Sequence, residues 1–83
     1  MKYVKVKWYD TSFYHDHEPM PEKEALKCCP MSIESVGYLL RDASDCLIAG
    51  SVGEEEGIPH FLDITCIPRG VVESIIPLKE ATS

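Results

Sequence analysis

Hydrophobic and polar residues alternate along several segments of the chain, and this alternation predicts a mostly β protein. In the first segment, Val4, Val6 and Trp8 alternate with lysines, the period-two pattern of a strand with one buried face. Near the end of the chain, Leu62 and Ile64 alternate with polar residues in the same way. We predict five strands, over residues 2–9, 33–41, 46–52, 60–67 and 71–78.

The apolar members of these strands predict the core. We expect it to contain Val4, Val6, Val36, Leu40, Leu47, Leu62, Ile64 and Cys66. Trp8 should lie at the core or its rim with its indole N–H hydrogen-bonded. In the last strand, Val71/Ile75 and Val72/Ile76 both form apolar stripes, so either stripe can face the core. A β-bulge near Ser74 would let the strand use both stripes.

The connections between the strands favour a particular architecture. We expect a tight turn at 42–45 and a longer polar loop at 53–59. Pro68 should end the fourth strand, and Gly70 permits the tight corner before the fifth. A long loop, a short turn, a medium loop and a tight corner, in that order, predict a five-stranded SH3-like small barrel. The alternative is an open, strongly bent sheet capped by a short helix. Gly37 predicts a bulge or sharp bend in the second strand.

Residues 10–32 form an unusually long connection between the first two strands. Pro21 stands at a plausible helix start, acidic residues follow it and Lys27 comes late, which predicts a helix near 21–27. The preceding stretch, residues 11–19, mixes aromatic and polar side chains and is predicted to form a loop on the surface. The sequence therefore predicts one long loop with one short helix between strands 1 and 2.

Length and charge narrow the class of protein. The 83 residues make one domain, 1–83, and 45% apolar residues suffice for its core without a metal or disulfides. A formal charge of -6 argues against nucleic-acid binding, which needs clustered Lys and Arg. No apolar run approaches the roughly 18 residues of a membrane span, and the first residues lack a signal-peptide pattern. We expect a cytoplasmic protein with reduced cysteines.

The 13–29 loop contains the only candidate chemistry. His15, His17, Cys28 and Cys29 are potential zinc ligands, but they lack the paired Cys-x₂₋₄-Cys spacing of a tetrahedral site, so metal binding stays open. A cysteine–histidine nucleophile pair in the same loop is a second hypothesis. We assign no catalytic, cofactor or metal residue. Aromatic side chains near this loop suit a peptide-binding groove, as in SH3 domains. The predicted protein-binding residues are Tyr9, Phe13, Tyr14, His15 and His17.

Short motifs in the predicted strands resemble those of a known type of small protein. Residues 36–40, 45–49 and Ile67-Pro68-Arg69-Gly70, together with the basic first strand, are similar to a type of small protein found in bacteriophage and prophage genomes. The resemblance covers the five strands and leaves residues 13–24 unmatched. It implies a phage or bacterial cytoplasmic origin and a compact β fold, and it implies no reaction or catalytic residue.

We therefore predict a non-catalytic protein-interaction module. The alternatives are a metal- or thiol-dependent site in the 13–29 loop and an Sm-like nucleic-acid-binding barrel, for which the lysines of the first strand are the one supporting feature. Several strands carry apolar residues on both faces, more than one small barrel can bury, so we expect a homo-oligomer. A symmetric dimer is favoured over a ring. The competing account is that the 10–32 insert folds back and covers the second face.

Overall fold

Five antiparallel strands form one sheet in the order β4-β3-β2-β1-β5. The computed structural model describes residues 1–13 and 19–79. The strand ends lie within three residues of the predicted ones, and the helix is shorter than predicted. The elements are β1 Tyr3–Asp10, α1 Glu22–Ala25, β2 Met31–Asp42, β3 Asp45–Glu55, β4 Ile58–Pro68, a 3₁₀ turn Arg69–Val71 and β5 Val72–Pro77.

The sheet is strongly curved because its two edge strands are consecutive in the chain. β4 and β5 lie at opposite edges, yet only the three-residue 3₁₀ turn joins them. The sheet must therefore bend until the end of β4 approaches the start of β5. Within the described residues no ladder pairs β4 with β5. Helix α1 buries none of its residues, so it does not cap the sheet.

The core lies on the inner, concave face of the sheet. Side chains from three strands are almost completely buried there: Val4, Val6, Cys46, Ile48 and Ile67. Trp8 packs against this cluster, and its indole Nε1 donates a hydrogen bond to Ser35 Oγ at 3.0 Å. The prediction for Trp8 is thus confirmed. Ala49, on the outer face of β3, is also buried.

Half of the predicted core is wrong. Val4 and Val6 are buried as expected, and Leu40 and Leu47 are half-buried. The exposed residues are Val36, Leu62, Ile64 and Cys66. In the β3–β4 ladder, Cys46 lies opposite Ile67, so Ile67 shares the inner face with the core. The alternation through Leu62, Ile64 and Cys66 is real, but it marks the outer face.

A β-bulge in β5 settles which residues of the last strand face inward. Lys7 pairs with Ser74, whereas Trp8 pairs with Val72, so Glu73 is the extra residue. The predicted bulge near Ser74 is confirmed. Because of it, Val72 and Ile75 both pack against the core.

The predicted bulge in the second strand is present, but its extra residue is Leu40 and not Gly37. The β1–β2 register runs unbroken through the pair of Gly37 with Val4, and the shift in the β2–β3 ladder falls next to Leu39. The glycine has a different reason: a Cβ atom at position 37 would lie 2.7 Å from the Ala49 carbonyl oxygen. Gly37 therefore permits the close approach of β3 to β2.

The predicted loop at 53–59 is also wrong. β3 and β4 continue as strands up to a two-residue turn at Glu56 and Gly57, whose φ angles are 54° and 77°. Left-handed φ at both positions is the signature of a type I′ hairpin, whose twist matches that of the flanking strands. The predicted tight turn between β2 and β3 is present, at Ala43 and Ser44. Gly70 adopts no left-handed φ.

Replacing Gly37 with alanine should destabilise the protein. The new methyl group meets backbone atoms of β3, which move only if the strands separate, so we expect a loss of about 1–3 kcal/mol in the free energy of unfolding. Gly70→Ala is the matched control, because nothing lies within 4 Å of a Cβ there. Urea unfolding of both variants tests this. Equal stability of the two would contradict the close approach.

Candidate functional site

The β3–β4 hairpin projects from the sheet. β2 pairs with β3 only as far as Tyr38 and Ala49, and beyond that point β3 and β4 pair with each other alone. We call this two-stranded ribbon, residues 50–63, the arm. At its base Asp63 has a φ of 56°, and a Cβ atom on the opposite Gly50 would lie 3.1 Å from the Asp63 Cβ. Glycine at position 50 therefore leaves room for the Asp63 side chain across the ladder.

The projection makes the molecule elongated. The Cα radius of gyration is 17.4 Å and the principal extents are 58 × 29 × 22 Å. A compact domain of this length has a radius of gyration of about 12 Å. Six residues of extended chain reach about 20 Å, so the arm accounts for a substantial part of the excess.

Large apolar side chains are exposed on the arm and at its base. On the outer face Ile58 is 60% exposed, Leu62 66% and Ile64 54%. On the inner face Val52 is 40% exposed and Phe61 is half-buried. A two-stranded ribbon alone in water is marginally stable at best, and a contiguous exposed apolar patch usually marks a contact surface. The arm thus has the character of an interaction element.

The tip of the arm is acidic. Glu54, Glu55 and Glu56 are exposed, and the arm contains four acidic residues but no lysine or arginine. His60 Nε2 lies 3.8 Å from a Glu55 carboxylate oxygen, at an exposed position. The arm therefore combines apolar sides with a negative end.

The outer face of β1 carries two lysines. Cross-strand pairing places Lys5 between Val36 of β2 and Ile76 of β5, and both of these apolar side chains are exposed. Lys7 follows on the same face. We call these four residues, Lys5, Lys7, Val36 and Ile76, the β1 patch. Its two ammonium groups each lie 3.8 Å from the single carboxylate of Glu34, and the Glu73 carboxylate is hydrogen-bonded to Tyr9, the next outer-face residue of β1.

The predicted protein-binding residues are only partly described. Tyr14, His15 and His17 lie outside the described residues. Tyr9 is exposed at the outer end of β1, and a hydrogen bond to the Glu73 carboxylate raises the pKa of Tyr9. Phe13 is 85% exposed. Trp8 points to the inner face, so it does not share a groove with Tyr9. Binding at these residues stays a prediction.

Cys28 and Cys29 lie at an open cleft formed by the insert and the end of β1. Thr11, Ser12 and Pro30 complete its lining, and Ser12 Oγ donates a hydrogen bond to the Cys29 carbonyl. Both cysteines are exposed thiols, and Cys28 Sγ lies 3.9 Å from a thioether sulfur, that of Met20. Residues 1–13 and 19–79 contain no group of three potential metal ligands. The metal and thiol hypotheses stay predictions.

A polar cluster fastens the β2–β3 turn to the 3₁₀ corner. Arg41 Nε donates to Asp45 Oδ1 at 2.6 Å, and Arg69 Nη1 donates to Asp42 Oδ1. The Arg69 backbone N–H donates to the Ser44 carbonyl at 3.2 Å. Beneath the cluster, burial raises the pKa of the Cys46 thiol. These contacts hold the β2–β3 turn against the 3₁₀ corner, so we assign the cluster a structural role.

Sequence reasoning missed the arm because it placed Leu62 and Ile64 in the core and Ile58 in a loop. A signal for the arm was present. Glu56-Gly57 is an acidic residue followed by glycine between two apolar runs, close to the Asp-Gly and Asn-Gly pairs of two-residue hairpins. Reading it as a turn extends both strands by several residues and leaves their apolar side chains far from the core.

No protein-family model matches the chain, and no match was found among curated proteins or solved structures. None of the helices in the described ranges has the length and apolar character needed to cross a membrane.

The Arg41–Asp45 pair predicts a pH dependence of stability. The hydrogen bond from Arg41 holds the pKa of Asp45 below its usual 3.8. Because the folded-state pKa is the lower one, the stabilisation is complete above about pH 4 and is lost as the pH falls through the folded-state value. Wild type should therefore be more stable than Asp45→Asn at pH 7, with the difference shrinking in acid.

Urea unfolding at neutral and acidic pH measures this difference. Arg41→Gln removes the partner and should flatten the acid dependence in the same way as Asp45→Asn. A difference between wild type and Asp45→Asn that does not change with pH would show that the pair does not stabilise the fold.

Proposed function

We propose that this protein is a non-catalytic protein-interaction module that acts through its projecting arm and associates with itself. The exposed apolar surface of the arm, on a ribbon that no third strand supports, is the observation that carries the proposal. We further propose that the curved sheet is an SH3-like barrel of phage or bacterial origin. The strand order and the 3₁₀ corner between β4 and β5 support the SH3-like frame.

The sequence allows two ways of covering the second apolar face, by the insert or by another chain, and the exposure of the described residues supports the second. If the insert covered that face, its own residues would be buried against the sheet. Helix α1 buries none of its residues, and Leu26 is 77% exposed. Leu62 and Ile64 are exposed as well. The exposure of these residues supports cover from another chain, and the symmetric dimer is its simplest closed form.

Replacing apolar residues of the arm should weaken self-association. We expect wild-type protein at micromolar concentration to sediment well above its monomer mass of 9.3 kDa. Ile58→Thr combined with Leu62→Thr keeps the preference for strand structure but removes apolar contact area, and should raise the dissociation constant by about tenfold or more. Sedimentation equilibrium provides the measurement.

Leu26→Thr is the control, because Leu26 is an equally exposed leucine outside the arm and should leave association unchanged. Circular dichroism verifies that each variant keeps its strands. A wild-type mass equal to that of the monomer throughout would defeat the proposal of self-association. Equal effects of the arm and helix substitutions would show that the arm is not the contact element.

A further inference from the structure

We infer that the arm of one copy docks on the β1 patch of a second copy, with the acidic tip against Lys5 and Lys7. This inference rests on the proposed self-association and names its two contacting surfaces. Both surfaces are exposed in the single chain. The arm tip is acidic, and the β1 patch contains two lysines.

The apolar parts of the two surfaces are suited to one another. On the arm, Ile58 and Leu62 lie two positions either side of His60 on the outer face of β4, so two aliphatic side chains flank one imidazole in this row, the stripe of the arm. On the β1 patch, Val36 and Ile76 stand on either side of Lys5 in one cross-strand row. Packing the stripe on this row removes aliphatic side chains of both copies from water.

The charges also match. The arm tip carries Glu54, Glu55 and Glu56, and the arm contains no lysine or arginine. In the β1 patch, one Glu34 carboxylate is shared between two ammonium groups, at 3.8 Å from each. The lysine side chains are 31% and 39% exposed, so they remain open to a carboxylate from outside the chain.

A second copy is the occupant that this complementarity favours. Each copy has a charge of -6, so two copies repel each other at long range, and the local pairing of the acidic tip with Lys5 and Lys7 is the contact that offsets this repulsion. Reciprocal docking of two arms closes a two-fold dimer, and one-way docking closes a ring. The same residues are in contact in the dimer and in the ring, and the mass of the assembly distinguishes the two.

Charge reversal tests the inference. One variant carries Glu54→Lys and Glu55→Lys, which leaves the turn residue Glu56 in place, and the other carries Lys5→Glu and Lys7→Glu. Each variant alone opposes like charges and should self-associate roughly tenfold or more weakly than wild type. In an equimolar mixture each arm meets a patch of opposite charge. The mixture should therefore form mixed assemblies near wild-type affinity, and so should a chain carrying all four substitutions.

Sedimentation equilibrium of the single species and of the mixture gives the result, with one variant labelled so that mixed assemblies are identified. Lys23→Glu combined with Lys27→Glu, in the exposed insert, is the charge control and should leave association unchanged. If each variant alone associates like wild type while Ile58→Thr/Leu62→Thr does not, the arm is the contact element but the β1 patch is not its receptor. If the two weakened variants fail to restore each other in the mixture, direct pairing of tip and patch is wrong. A monomeric wild type would overturn this inference together with the proposed self-association.

Discussion

The pairing register between β3 and β4 determines which surfaces the protein buries. Because Cys46 lies opposite Ile67, these two residues and Ile48 face the valines of β1 and complete the core. The same register sends Leu62 and Ile64 to the outer face, where they are exposed. A shift of one residue in either strand would exchange the two sets. The small core and the apolar arm are thus two consequences of one pairing.

The chain divides into a base and an arm of different character. In the base, β1 pairs with both β2 and β5, the bulge at Glu73 lets Val72 and Ile75 reach the core, and the Arg41–Asp45 and Arg69–Asp42 pairs fasten the corner. The arm has only its own ladder and its I′ turn. Segments with few buried apolar contacts open at low free-energy cost, so the arm is less stable on its own than the base.

The sequence predicts the strands well and the faces poorly. Alternation locates β1 and β4, and apolar runs bounded by turn residues locate the other strands, because both patterns are local properties of the chain. It does not say which face is buried when both faces carry apolar residues, as in β3 and β4. That choice depends on the cross-strand register, and the alternation within either strand is the same for both registers. Gly37 shows the same limit: its close contact is with Ala49, a residue of the neighbouring strand.

The sequence predicts that a contact surface exists but not where it lies. Surplus apolar residues indicate a contact surface, and this much follows from composition and pattern. Its location follows from the turn at Glu56 and Gly57, which sets the length of the ribbon, and from the end of the β2–β3 ladder at Tyr38 and Ala49. The sequence instead placed the predicted binding residues near the insert, at the end of β1 away from the arm, because aromatic side chains are common in peptide-binding grooves.

Amide hydrogen exchange as a function of protein concentration tests the central claim, that the arm is unsupported within one chain and covered by another. The account predicts that backbone amides of the arm, such as those of Val52 and Leu62, exchange rapidly in dilute protein and become protected as the concentration rises. Amides of Val4 and Val6 in the base should stay protected throughout. Arm protection that is the same at every concentration would contradict the account.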